Sequence, residues 1–367
     1  MRKFLILTAA AVLALALAAV PKVAQADNLC GTTLATTTIL SHSHDCGTGA
    51  GLSIGLIGMT LDLGGFVLKG DTGGSNIGVD NPGFDNVTVK NGVIEGFHVG
   101  VQATGVADFK LNNLTFTGQT DQFGRAVDIL DSTSVKIRNS SFFMPAPEFL
   151  GSEAIRLQSV AVVDVKDVDV HGGFVGVNFA CDVCNGLEDP TNGEVKDSVF
   201  HGTFIGVFLA NTTDAKVEDN HMSGGVLISC TVATCGFLFD LPSKGILGQV
   251  TPKTPLANEG FTVVTNVTIE GNHVHDNDGF GIKLDGVTDS EVKNNEVHVN
   301  AMDGIALIEI TEGVDPDIPS TGNEIKDNTS TGNGGFDISH DTNSTGNIWS
   351  GNTCESSSGT EAVADCP

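Results

Sequence analysis

Residues 86–118 carry one unit written twice. Val87-x-Val89-x-Asn91 followed by Val93-Ile94-x-Gly96 returns as Phe109-x-Leu111-x-Asn113 followed by Thr115-Phe116-x-Gly118, with the apolar run Val99-Gly100-Val101 between the copies. Alternating apolar residues describe short strands, and the Asn and Gly that interrupt them are turn residues. A unit of this length cannot bury its own apolar side. It has to stack on copies of itself, which makes the chain a β-solenoid.

The turn position of the unit is traced as Gly65, Asn91, Asn113, Asn139, Asp167, Asp197, Asp219, Gly271, Asn294, Asp327 and Gly351, at intervals of 22 to 33 residues apart from one gap of 52. Residues 225–228 and 245–247 both offer a strand inside that gap, so residues 220–270 hold one coil or two. Two columns read as core. The first is Leu63, Val89, Leu111, Ile137, Val165, Val195, Val217, Ile269, Val292, Ile325 and Trp349. The second is Ile94, Phe116, Phe142, Val170, Phe200, Met222, Val274 and Val297. One residue past the turn, Asn220, Asn272, Asn295, Asn328 and Asn352 recur, suited to left-handed backbone and to a ladder of side-chain amides; these are read as structural. A third strand pairs Gly or Ala with an apolar residue, as in Gly100-Val101, Ala126-Val127, Ala154-Ile155 and Gly176-Val177.

Three short strands in coils of 22 or more residues resemble the right-handed parallel β-helix repeats of the pectin-lyase-like superfamily. The resemblance covers residues 59–354, and CGTTLATTTILSHSHDCGTGAGLSI followed by MTLDLGGFVLKG is similar to the first coil of bacterial secreted members. It implies an all-β chain with a single solenoid of about 11–12 coils and disulfide-tied ends. It leaves function open, because this fold hosts lyases, hydrolases, epimerases, adhesins and proteins without catalysis. The expected organisation is a signal peptide at 1–26, an N-terminal cap and first coil at 27–58, the β-helix at 59–353 and a C-terminal tail at 354–367.

The leader is read from Arg2 and Lys3, an apolar run, and the small-x-small site Ala24-Gln25-Ala26. It predicts export to the periplasm or beyond, and no later stretch is apolar enough to span a bilayer. Eight cysteines in an exported chain suggest local disulfides: Cys30 with Cys46, Cys181 with Cys184, Cys230 with Cys235, and Cys354 with Cys366. Without the leader, 15 basic residues face 45 acidic ones, a net charge of −30. Such a surface repels nucleic acid, and it repels pectate and alginate unless bound calcium reverses the local field. Asp276, Asp278 and Asp285 could serve calcium, without a recognisable ligand spacing.

Two stripes carry candidate chemistry. Gln102, Asp128, Arg156 and Asn178 follow the Gly/Ala-apolar pair in successive coils and should line one outward face as a substrate-binding row. Asp128 beside Arg156 could act as an acid–base or charge-stabilising pair, or be a surface ion pair of little worth. Only Arg125, Arg138 and Arg156 remain beyond the leader, where pectate lyases use an arginine base with further basic residues. The chain has no tyrosine, which excludes a tyrosine acid or base. Residues 335–341, GFDISHD, are similar to a catalytic segment of alginate epimerases but lack its Tyr and Pro.

The second stripe is imidazole. His171, His201, His275 and His298 share an outward column, and His221 and His273 stand two residues earlier. Stacked about 5 Å apart they could take Cu²⁺ or Zn²⁺, and they resemble repeats of periplasmic copper-handling accessory β-helix proteins. His42 and His44 near Cys46 form a second such pair. Sugar-platform aromatics are scarce. The lone Trp349 is assigned to core, and Phe237, Phe239 and Phe261 are left as an exposed lip. The sequence favours a non-catalytic rod for surface, envelope or glycan interaction that requires no cofactor. The alternatives are a polysaccharide lyase, epimerase or hydrolase using Asp128 and Arg156, and metal handling through the histidines.

Overall fold

The structure is a computed structural model and describes residues 22–24, 28–71, 76–119, 124–145, 151–180, 192–210, 212–223, 227–230, 264–309, 319–359 and 366. All regular structure in these residues is strand. Accordingly, among the described residues no helix is long and apolar enough to cross a membrane.

Each coil contributes to three parallel faces. On the first, eleven successive pairings lead from Thr38–Leu40 through Thr60–Asp62 to Ile348–Ser350. The second leads from His44–Asp45 to Thr353–Cys354. The third leads from Thr32–Leu34 to Ser357–Ser358. Parallel pairing of every strand with the equivalent strand one coil away puts like residues on like, about 4.8 Å apart. The second core column is observed as expected: Ile94, Phe116, Phe142, Val170, Phe200, Met222, Val274 and Val297 are partners in series and are buried. Phe116 and Phe142 stack with centroids 5.0 Å apart.

The first core column needs one correction. Leu61, not Leu63, is the partner of Val89. Both leucines are fully buried and lie two residues apart, so alternation alone could not choose between them. The turn at Gly64 and Gly65 inserts two residues here, and Phe66 N–H closes it on the Leu63 carbonyl. At the other end of this column Trp349 pairs with Ile325 but is only half-buried, because no later first-face strand covers it among the described residues.

All eleven traced turn positions are left-handed, with φ from 50° at Asp197 to 82° at Gly65. Asn and Asp tolerate that region and Gly adopts it freely, which explains why those three residue types fill the column. The ladder asparagines that follow the turns are not left-handed, contrary to the reading of their role. They turn inward and are buried. Each Nδ2 donates to the Oδ1 of the next: Asn220 to Asn272 at 3.0 Å, Asn272 to Asn295 at 3.0 Å, Asn295 to Asn328 at 2.9 Å and Asn328 to Asn352 at 3.0 Å. Each Oδ1 also accepts the preceding asparagine's backbone N–H, which saturates a corner that no regular strand pairing reaches.

The small residue before each third-face core residue is steric. A Cβ on Gly100 would lie 2.5 Å from the Ala126 carbonyl oxygen, and one on Gly176 would lie 2.6 Å from the Phe200 ring. The 52-residue gap resolves as one coil: Lys216–Glu218 pairs directly with Thr268–Glu270, and Leu227–Cys230 pairs with both Ile205–Ala210 and Ile282–Asp285. The strand expected at 245–247 lies outside the described residues.

Disulfides join Cys30 to Cys46 and Cys354 to Cys366, with Cα atoms 5.3 and 5.1 Å apart. They close the two ends, where a solenoid otherwise exposes an unpaired edge. The expected Cys181–Cys184 and Cys230–Cys235 bridges lie outside what is described. Of the expected leader, Lys22–Ala24 is a strand paired with Thr38–Leu40; residues 1–21 are not described.

Candidate functional site

The register brings the third-face stripe together as expected and extends it. Asp80, Gln102, Asp128, Arg156 and Asn178 are consecutive partners, and Phe208 follows Asn178. Asp128 is only 2% exposed. Arg156 holds it with two parallel hydrogen bonds, Nε to Oδ1 at 2.8 Å and NH2 to Oδ2 at 2.9 Å. Two residues absent from the sequence-derived list complete the network. Arg125 donates Nε to Glu153 Oε2 at 2.8 Å and lies 3.9 Å from Asp128; Asn178 donates to Glu153 Oε1 at 2.5 Å. The signal for this pair was present in the repeat, since Arg125 and Glu153 are register partners three residues before Asp128 and Arg156.

This network cancels its own charge. Two buried carboxylates face two guanidinium groups, and both oxygens of Asp128 are occupied. A general acid or base needs a proton position open to substrate, and Asp128 offers none in this arrangement. At the N-terminal end of the same stripe, Asp80 lines a cavity of about 410 Å³ together with Gly31, Thr48, Ser53, Asn76 and Ile77. Burial pushes the Asp80 carboxyl above its ordinary value, and among the described residues no cation pairs with it.

The epimerase-like segment is structural. Asp337 is 1% exposed, and its oxygens accept from Asn333, Glu355 and Ser356. It pins the final coil. His340 bonds the Asp341 carbonyl and packs on Trp349. The calcium candidates do not converge: Asp276 binds the His275 ring and Asp285 binds Lys283. Asp278 is exposed.

The histidine stripe runs along the second face as Phe143, His171, His201, His221, His273, His275 and His298, with neighbouring rings 4.5 to 5.7 Å apart. Its members differ in surroundings. His171 lies on Asp169 at 3.0 Å and His201 on Ser223 at 2.7 Å. His275 and His298 instead join His221, His273 and Glu296 in two overlapping ligand sets, His221/His273/His275 and His273/Glu296/His298. Glu296 was missed because its register column reads Val199, His221, His273, Glu296 and so carries no constant residue type. Burial, with the adjacent imidazoles adding to it, pushes His221 and His273 below the ordinary histidine value. The other histidine pair stays together, with ring centroids 4.4 Å apart: His44 is buried with Nδ1 toward the Leu29 amide, while His42 also contacts Ser41. Phe237, Phe239 and Phe261 lie outside the described residues; Phe143 and Phe336 are the exposed phenylalanines among those described.

Residues 256–366 match the right handed beta helix region family. Among solved structures, the Dettilon tailspike protein is similar at 13% identity and a TM-score of 0.53, over 88% of this chain and 62% of the tailspike. The chain thus spans under two thirds of that protein's length. The A-module of the Azotobacter vinelandii mannuronan C-5 epimerase AlgE4 aligns at 12% identity and a TM-score of 0.42, over 90% of both chains. The catalytic domain of a GH87 alpha-1,3-glucanase aligns at 13% identity and a TM-score of 0.48, over 92% of this chain and 60% of that one. No curated protein sequence matches. At these identities the likeness concerns fold alone. By its repeat and its parallel register the chain is a parallel β-helix, a fold it shares with the tailspike, and its residues 256–366 match the right handed beta helix region family.

Proposed function

We propose that this protein is an exported, non-catalytic rod that binds neutral glycan chains along its third face. The observation that carries this reading is the closed Arg125–Glu153–Asp128–Arg156 network, whose carboxylates are spent on guanidinium groups rather than left open for proton transfer. Rigid, outward polar groups at rung spacing suit an extended partner lying across the coils. The net charge of −27 over the whole chain favours a neutral polysaccharide over a polyanion, which calcium would have to bridge. The leader-like segment at residues 1–26 supports delivery to the periplasm or the outside.

The test incubates the protein, with and without calcium, with neutral and acidic polysaccharides, reading both retention and product. Retention on neutral chains with no product is expected. Gln102→Ala should weaken it without exposing a buried charge, since Gln102 is half-buried and its side chain is outside the ion-pair network. New reducing ends, unsaturated uronate absorbance or an altered epimer ratio, lost in Arg156→Ala and retained in His171→Ala, would replace the rod with an enzyme.

A further inference from the structure

We propose that His273, Glu296 and His298 form a divalent transition-metal site, independent of the glycan reading. The three donors converge. His273 Nε2 lies 2.8 Å from His298 Nε2, and each of these nitrogens lies 4.0 Å from an oxygen of Glu296. The two contacts are to different oxygens of the carboxylate, and one ligand atom from each of the three side chains lies within 4.8 Å of the others, a spacing that one ion can bridge. All three side chains are at least partly exposed, so an ion can enter and keep further positions for water.

The protons agree with this placement. Two neutral imidazole nitrogens 2.8 Å apart must share a proton, or else both point lone pairs at a cation. The rest of the chain of rings selects which nitrogens carry hydrogen. Asp276 Oδ2 is 2.7 Å from His275 Nδ1 and accepts its N–H. His275 Nε2 is then an acceptor, and His221 Nε2–H donates to it at 3.1 Å. His221 Nδ1 in turn accepts from His273 Nδ1–H at 3.2 Å. His273 is thereby left with a bare Nε2 directed at His298 and Glu296. A carboxylate thus orients the ligand through two intervening imidazoles, the kind of outer support that metal-bound histidines use. Imidazole and carboxylate donors without thiolate select borderline divalent ions, Cu²⁺ and Zn²⁺ ahead of Mg²⁺ or Ca²⁺.

The test is calorimetric titration of the metal-stripped protein with Zn²⁺ and, separately, Cu²⁺ at pH 7.5, with circular dichroism to verify folding of each variant. One equivalent of ion is expected. His298→Ala and Glu296→Ala should abolish it, and His221→Ala should weaken it about 10- to 100-fold by releasing the orientation of His273. His171→Ala, on the same stripe but outside the set, should bind like the parent. Absence of binding, binding that survives His298→Ala in a folded variant, or equal loss in His171→Ala would each overturn the site.

Discussion

The third and second faces of this solenoid share one backbone rhythm and put polar columns at the same spacing, yet the columns behave oppositely. On the third face, Asp128, Arg156, Arg125 and Glu153 alternate in charge, so stacking lets them satisfy one another and sink into the surface. On the second face, like stands on like. Each imidazole passes its one donor to the next ring, and the chain ends at His273 on a nitrogen with a lone pair to spare. The solenoid therefore does not decide whether a stripe is a lock or a site. Charge complementarity between successive coils decides it, and a column of identical residues stays chemically open.

Breaking the lock should give the largest effect. Arg156→Ala strands the buried Asp128 carboxylate, and a loss of about 3–5 kcal/mol in unfolding free energy by urea titration is expected. The double change Arg156→Met with Asp128→Leu should recover most of that, because an apolar pair owes no desolvation. If the single change is silent, the network is a surface ornament and the contrast fails.

The asparagine corner, between the first and second faces, comes next. Asn295→Ala removes the acceptor of the Asn272 N–H and Nδ2 and the donor to Ile269 O, all buried. A loss of about 1–3 kcal/mol by the same titration follows from unsatisfied buried groups.

The N-terminal cap sharpens the comparison through pH. Burial, with His42 adding to it, lowers the His44 pKa. The unfolded chain therefore takes up this proton first. The stability His44 contributes is complete above its unfolded pKa of about 6.5 and is lost as pH falls through it toward the lower folded value. Thermal melts between pH 8 and 5 should show the loss, and His44→Phe should flatten it.

The smallest change is expected on the open face. His298→Ala, half-exposed and held by another imidazole, should stay within about 0.5 kcal/mol of the parent in the absence of metal. A large loss there would make the second face a lock as well.

Much of this was legible beforehand. Every traced turn residue proved left-handed because only Gly, Asn and Asp enter that region cheaply, so the residue type itself reports the backbone. The second core column could be read because aromatic and aliphatic residues recur at one parity. Leu63 was misplaced because Leu61 shares its parity and its character. Glu153 and Glu296 escaped because the residue type changes within their columns, Val99, Arg125, Glu153, Val175 in one and Val199, His221, His273, Glu296 in the other, so neither acid repeats.

The sequence by itself determined the coil, its turns, its inward columns and which residues share an outward face, since all of these follow from a two-residue strand period and a repeated turn. Only the tertiary structure decided the pairing across coils: that Arg125 reaches Glu153, that Asp128 is consumed by Arg156, and that Glu296 meets His273 and His298. Apart from Glu296 and His298, which share one strand, those contacts join residues more than twenty positions apart on successive coils. Their meeting depends on register and side-chain reach, which no local pattern encodes.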